Sequence, residues 1–256
     1  MGKRIKQILA LALPLILQQL CLQLQVWIDR AMLGHVKTAF FAAIGNTGVP
    51  YYMVTSIITA ICGGTAILTA QGVGAGDEKQ VQKIAESSFF GSSLLSLAGY
   101  LFFFFFSDGI FRLMGMQSPI LEYCTGYIRV LSISLLVLGP SASALAVLQG
   151  FGLTKVIMIT GITGNLLNIL LDWILIFGHW GFPAMEIAGA AWATVIANFI
   201  SSAIVIAYVL RSPRMPLRIP LSLHTSCRLR NYREVLLLGI PSGMEYGLWN
   251  LGNMVL

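Results

Sequence analysis

Apolar residues fill this chain in long blocks, and short connectors rich in glycine, proline and charge separate them. A helix needs about 20 mostly apolar residues to cross the hydrocarbon layer of a bilayer. On that rule the pattern predicts spanning helices near 7–33, 50–71, 84–106, 124–148, 156–178, 187–210 and 235–256. The expected connectors are Gly45 to Pro50, Gly72 to Asp77, Ser107 to Pro119, Gly150 to Lys155 and His179 to Pro183, all carrying turn or breaker residues. The predicted fold class is an all-α integral membrane protein, a six-helix transmembrane bundle plus the start of a seventh helix. Between the sixth and seventh spans lies a basic loop with Pro213, Pro216 and Pro220, which reads as a linker. The chain therefore divides into a six-helix lobe at 1–210, a linker at 211–233 and a seventh helix at 234–256.

Composition agrees with the pattern. Mean hydropathy is +0.81, 57% of residues are hydrophobic and 10% are charged, against about 25% charged in soluble domains. One soluble core is excluded. The net charge of +6 does not point to nucleic acid, because the basic residues fall in connectors and not on one surface. Cys21, Cys62, Cys124 and Cys227 show no ligand-like spacing and read as buried thiols, with no disulfide or metal site expected. The N-terminal Lys3, Arg4 and Lys6 before ILALALPLIL resemble a secretion signal, but the apolar run continues to Trp27 without a small-residue cleavage site. It reads as an uncleaved first span.

With the N-terminus in the cytoplasm, twelve of the sixteen Lys and Arg residues fall on the inner side, leaving Arg30, Lys37, Arg112 and Arg129 outside. That bias orients the bundle in a cytoplasmic (inner) membrane. A faint repeat links the first and last spans. Lys6, Pro14 and Gln18 have the same spacing as Arg233, Pro241 and Glu245. With six spans between, both begin on the same side, the arithmetic of parallel repeats in two-lobe carriers. The seventh span then opens a second lobe that is missing here.

Polar residues inside the spans carry the candidate chemistry. In GNLLNILLDWILIFG, Asn165, Asn168 and Asp172 stand at i, i+3 and i+7, one face of a helix. An ionised Asp within such a helix costs roughly 2.5–3.5 kcal/mol on insertion scales, which marks it as a functional residue. The first span has a second stripe, Gln18, Gln25 and Asp29, one turn after Pro14, which permits a kink. Counting from the span ends at about 1.5 Å per residue places Asp29, Tyr127, Asn168, Asp172 and Thr194 in one layer near the outer surface. Two carboxylates in a low-dielectric pocket cannot both stay ionised cheaply, so one takes a proton or both share a cation. Asp29 pairing with Arg30 or Arg129 is the alternative, a plain anchor. The glycines of AQGVGAGDEK read as a tight turn and not a phosphate cradle. His35, His179 and His224 read as connector imidazoles, and no hydrolytic motif, metal cluster or cofactor signature is present. The Phe102–Phe106 run has no assigned chemistry.

Taken together, Pro14 with Asp29 in VWIDRAMLGH, AQGVGAGD at 70–77, LQGFGLTK at 148–155, NLLNILLDWILIFG followed by GAAWAT at 189–194, and LGIPSGMEYG at 238–247 resemble the multidrug and toxic compound extrusion (MATE) family of cation-coupled antiporters. The resemblance implies one lobe of a two-lobe transporter that exports amphipathic organic compounds, coupled to H⁺ or Na⁺ and needing no cofactor. It maps a cation site to Asp29, Asn168, Asp172 and Thr194, with Tyr127 beside them, and a helix bend to Pro14. Gln18, Gln25, Asn165 and Asn198 would line the cavity. The expected partners are the lipid bilayer, small organic substrates and the missing C-terminal lobe. Some branches use a Glu about two turns past the seventh-helix Pro. Trp249 stands there in this chain, so that role does not transfer to Glu245. A lipid-linked oligosaccharide flippase of the same superfamily and a membrane-embedded helper without transport of its own are the other open readings. An enzyme is not expected.

Overall fold

The computed structural model describes residues 2–212, 232–241 and 244, and in these the chain forms helices and turns without strands. Seven helices follow in order: α1 (Gly2–Val36), α2 (Thr38–Ala75), α3 (Glu78–Leu113), α4 (Ile120–Leu131), α5 (Leu135–Gly150), α6 (Thr154–Phe177) and α7 (Glu186–Arg211). A single 3₁₀ turn, Ser132–Ser134, joins α4 to α5, so the two act as one span of 31 residues, Ile120–Gly150. Six helical segments are thus long and apolar enough to cross a membrane, as the hydropathy blocks predict for 1–210. The linker at 211–233 and the seventh helix at 234–256 lie largely outside the described residues.

Two local signals in the sequence act as expected. At the end of α2, Gly76 adopts φ 71°, the left-handed conformation that closes a helix C-terminus. Asp77 then caps α3, its carboxylate accepting from Gln80 N at 2.9 Å. Of the AQGVGAGDEK glycines, Gly76 makes the turn, whereas Gly72 and Gly74 lie within α2, which runs on to Ala75. The predicted connector at Gly45 to Pro50 is not a connector: α2 runs through it with Pro50 inside the helix. Proline removes one helical hydrogen bond. At membrane depth, breaking the helix would leave several backbone groups without water, so the helix persists. The true connection between α1 and α2 is the extended Lys37 (φ −152°, ψ 136°). Its ammonium meets Glu186 at 3.2 Å and lies over the Phe40 ring, tying this corner to the start of α7.

Small residues set the helix spacing. α3 and α5 approach so closely at Gly139 that any side chain there would strike the Ser92 carbonyl. Around that contact the packing is hydroxylic: Thr65 bonds Ser88 at 2.6 Å, and Ser143 donates to Ser88 at 2.8 Å. Such contacts replace the hydrophobic drive that lipid cannot supply between helices. Apolar clusters close both ends, Phe103, Phe111 and Ile128 between α3 and α4, and Val81, Leu148 and Val205 among α3, α5 and α7. Leu9, Leu20, Leu24 and Trp27 leave the outer face of α1 apolar and uncovered.

Residues 232–241 form a further helical stretch docked on α2 and α3. Gly64 and Gly239 permit near backbone contact there: a Cβ on Gly239 would lie 2.5 Å from Ile61 Cα. The Tyr232 ring covers Gly91, with its hydroxyl 3.3 Å from Ser92 Oγ.

Of the described cysteines, all free thiols, Cys62 and Cys124 are buried as expected, whereas Cys21 on α1 is only half-buried; Cys227 lies outside the described residues. Of the histidines, His35 sits in the last turn of α1 and not in a connector. His179 stacks on Trp173 with ring centres 3.8 Å apart. His224 lies outside the described residues.

Candidate functional site

α1 and α6 pack side by side and bring their polar stripes together. On α6 the predicted helical spacing holds: Asn168 is 2% exposed and Asp172 has no exposed surface at all. On α1 the buried member is Gln25, at 8%. Its Nε2 donates to Asn168 Oδ1 across the interface and to Asp29 Oδ2, one turn on, at 3.2 Å. Asn168 in turn donates from Nδ2 to Thr194 Oγ1 on α7 at 3.4 Å, and Thr194 donates to the Ala190 carbonyl at 3.0 Å. One chain of polar contacts thus crosses three helices.

The Asp29 and Asp172 carboxyl groups face each other within hydrogen-bonding and electrostatic reach. Asp29 Oδ1 and both Asp172 oxygens are buried and have no donor. An ionised carboxylate can only accept, so two of them set together leave these lone pairs unsatisfied. A proton held between them, or a cation bound by the oxygens, would supply what is missing. Neither acid forms an ion pair with Arg30 or Arg129: Arg30 Nε is buried without a partner, and Arg129 Nε donates to Ser107 Oγ at 3.2 Å.

Two cavities meet at this cluster. The one on the side of the α1–α2 corner, about 190 Å³, is lined by Asp29, Arg30, Tyr51, Tyr52 and Tyr127 among others. The other, about 320 Å³, extends toward Pro14 and is lined by Gln18, Ser141, Thr160, Asn165, Asn198 and Ser201 among others. Gln25, Asn165, Thr194 and Asn198 border both. Glycines make room for this polar lining. A Cβ at Gly161 would meet Gln18 Cγ at 2.6 Å, and one at Gly164 would strike Ser201. Pro14 is buried, and α1 continues through it.

Apart from Pro14, which lies eleven residues before Gln25 on α1, the predicted site residues are at or beside this cluster. Asp29, Asn168, Asp172 and Thr194 are within it, Tyr127 stands in the adjoining cavity, and Gln18, Asn165 and Asn198 line the walls. Gln25 is closer to the chemistry than its placement as a wall residue predicts. Tyr51 and Tyr52 were not singled out. They follow Pro50, and the connector expected there put them at the membrane edge, whereas the continuous α2 turns Tyr51 inward to bond Ser134 Oγ at 2.7 Å.

Comparison with known proteins matches residues 14–174 to the MatE family model. The chain is 28% identical over 254 residues to a protein of Thermotoga maritima named probable multidrug resistance protein NorM, covering 96% of this chain and 53% of that one. It is 26% identical over 227 residues to an uncharacterized transporter, YisQ, of Bacillus subtilis, covering 89% and 50% respectively. Among solved structures, a MOP superfamily transporter from Pyrococcus furiosus superposes with a TM-score of 0.83 at 24% identity over 94% of this chain and 52% of that one. A crystal structure of MATE in the bent conformation superposes at 0.80 with 25% identity, over 93% and 52%. The chain spans about half the length of the relatives it matches. A match across well over half of the sequence, with the same arrangement of six helices, leads to one conclusion: this chain belongs to the MatE family of membrane transporters.

Proposed function

We propose that this chain is one lobe of a cation-coupled antiporter that exports amphipathic organic compounds, with H⁺ or Na⁺ as the coupling ion and a second six-helix lobe as its partner. The observation that carries the reading is the Asp29–Asp172 pair, three of whose four carboxyl oxygens are buried without a donor beside two cavities. In this proposal Asp29, Asp172, Asn168 and Thr194 hold the cation. Gln25 positions Asp29, and Tyr127 bounds the chamber. Loading and unloading the pair changes which arrangement of α1 against α6 costs least, and that difference biases a two-state carrier. Pro14, where α1 lacks one hydrogen bond, is the place for α1 to bend. The protein lies in the cytoplasmic membrane with its N-terminus inside, as the distribution of Lys and Arg supports.

The flippase reading calls for a more cationic chamber. Among the described residues Arg30 is the one basic side chain lining either cavity, which favours the drug-exporting reading. A helper without transport of its own is separated by the coding sequence beyond Leu256: a second six-span half there supports the carrier.

The test is transport in proteoliposomes by the two-lobe protein. Asp172→Asn and Asp29→Asn should each abolish efflux driven by a proton or sodium gradient while expression and insertion persist. Undiminished efflux in both variants would remove the proposal.

A further inference from the structure

Away from the carboxylate pair, the ends of α3 and α4 enclose a polar groove of about 680 Å³. It holds two arginines and two acids. Arg112 Nε donates to Asp108 Oδ2 at 2.7 Å on α3. Glu122 on α4 accepts from Ser118 Oγ at 2.6 Å. Arg129 lies deeper. It is nine residues past the start of α4 at Ile120, about 13 Å along the axis. It uses Nε on Ser107, a neutral hydroxyl, and among the described residues no carboxylate is within salt-bridge distance of it. Beside it, Thr125 Oγ1 is buried without a partner. The floor is open at Gly126, where a Cβ would meet nothing within 4 Å.

An arginine at that depth, bonded only to a hydroxyl, is costly unless it reaches a headgroup or an anion. Next to the groove, one turn back along α3 on the face that Asp108 and Arg112 share, Phe104 and Phe105 are exposed at 46% and 67%. These two members of the phenylalanine run therefore form an apolar strip that begins where the charged groove ends. A headgroup above and acyl chains below is the order in which a phospholipid presents itself.

The charges narrow the headgroup. A phosphate would accept from Arg129 and from the Thr125 hydroxyl, with Arg112 nearby. The acids Glu122 and Asp108, on the same walls, require a donor cation in the same ligand. We propose that the α3–α4 groove is a phosphatidylethanolamine site in the leaflet on that side: phosphate on Arg129, primary ammonium toward Glu122, and acyl chains along Phe104 and Phe105. Phosphatidylcholine offers no N–H for Glu122, and phosphatidylglycerol offers no cation. The site depends only on the helices spanning a bilayer and is independent of the transport reading.

Native mass spectrometry of the purified chain, released from nanodiscs containing equal amounts of the three lipids, tests this. Phosphatidylethanolamine should be retained preferentially. Arg129→Gln should lower its occupancy about tenfold, the loss expected for one charge-assisted hydrogen bond. Gly126→Leu adds a side chain on the groove floor, where its Cβ meets no protein atom within 4 Å, and should lower it as much. Water-soluble glycerophosphoethanolamine should not displace the lipid, because it lacks the acyl chains. Equal retention of the three lipids, preference for phosphatidylglycerol, displacement by the soluble headgroup, or wild-type occupancy in both variants would each overturn the proposal.

Discussion

The Gln25 amide donates to both Asn168 and Asp29, so a single side chain ties α1 to α6 and fixes the position of one acid beside the other. The tie spans 143 residues of sequence. The outer face of α1 carries exposed apolar side chains, so this polar link is a specific contact made by its inner face.

Replacing Gln25 with leucine keeps the volume and removes the donor. Asn168 Oδ1 and Asp29 Oδ2 are then left without it, a loss of about 1–3 kcal/mol. Thermal unfolding in detergent should fall correspondingly. Cation-driven transport should weaken more than insertion, since Asp29 loses its positioning bond. An unchanged melting temperature and unchanged transport would show that the amide link carries no weight.

Asp172→Asn should change how stability responds to ions. If the acid pair binds a cation, the wild-type chain gains about 2.7 kcal/mol at a hundredfold excess over the dissociation constant, seen as a rise in melting temperature with added Na⁺ or with acid. The asparagine amide can itself donate to Asp29 Oδ1, so the variant should be stable without the ion and flat in its response. A variant that responds as the wild type does would place ion binding elsewhere.

Two glycine-to-alanine changes should separate packing from propensity. At Gly189 a Cβ would come 2.6 Å from the Leu175 carbonyl oxygen, which is backbone and cannot turn aside. Gly189→Ala should destabilise by about 1–3 kcal/mol through forced separation of α6 and α7. Gly74 has nothing within 4 Å of its Cβ position. Gly74→Ala in the last turns of α2 should stabilise by up to about 1 kcal/mol. Equal effects at both sites would contradict the close helix approach.

Gly239→Val should push residues 232–241 away from α2, because its Cβ position is 2.5 Å from Ile61 Cα. Faster limited proteolysis within 232–241 is the expected readout, with melting of the six-helix part little changed. Protection equal to wild type would mean that the close approach is not needed for docking.

Much of this protein follows from one-dimensional pattern. Apolar blocks of membrane length specify six spans because a lipid interior admits only segments that satisfy their own backbone. The spacing of Asn165, Asn168 and Asp172 places them on one face because the helix repeat is local and regular. The left-handed Gly76 and the Asp77 cap end one helix and begin the next through contacts within a few residues. What only the tertiary structure decided is which faces meet. The continuity of α2 through Pro50, the inward turn of Tyr51, the central place of Gln25 and the opposition of Asp29 to Asp172 all depend on helix approaches set by small residues at crossings such as Gly139, Gly161 and Gly189. Hydropathy records the cost of removing a residue from water. It holds no information on which distant helix a buried group will find, because that is settled by shape and by the pairing of polar atoms across a space the chain encloses only when folded.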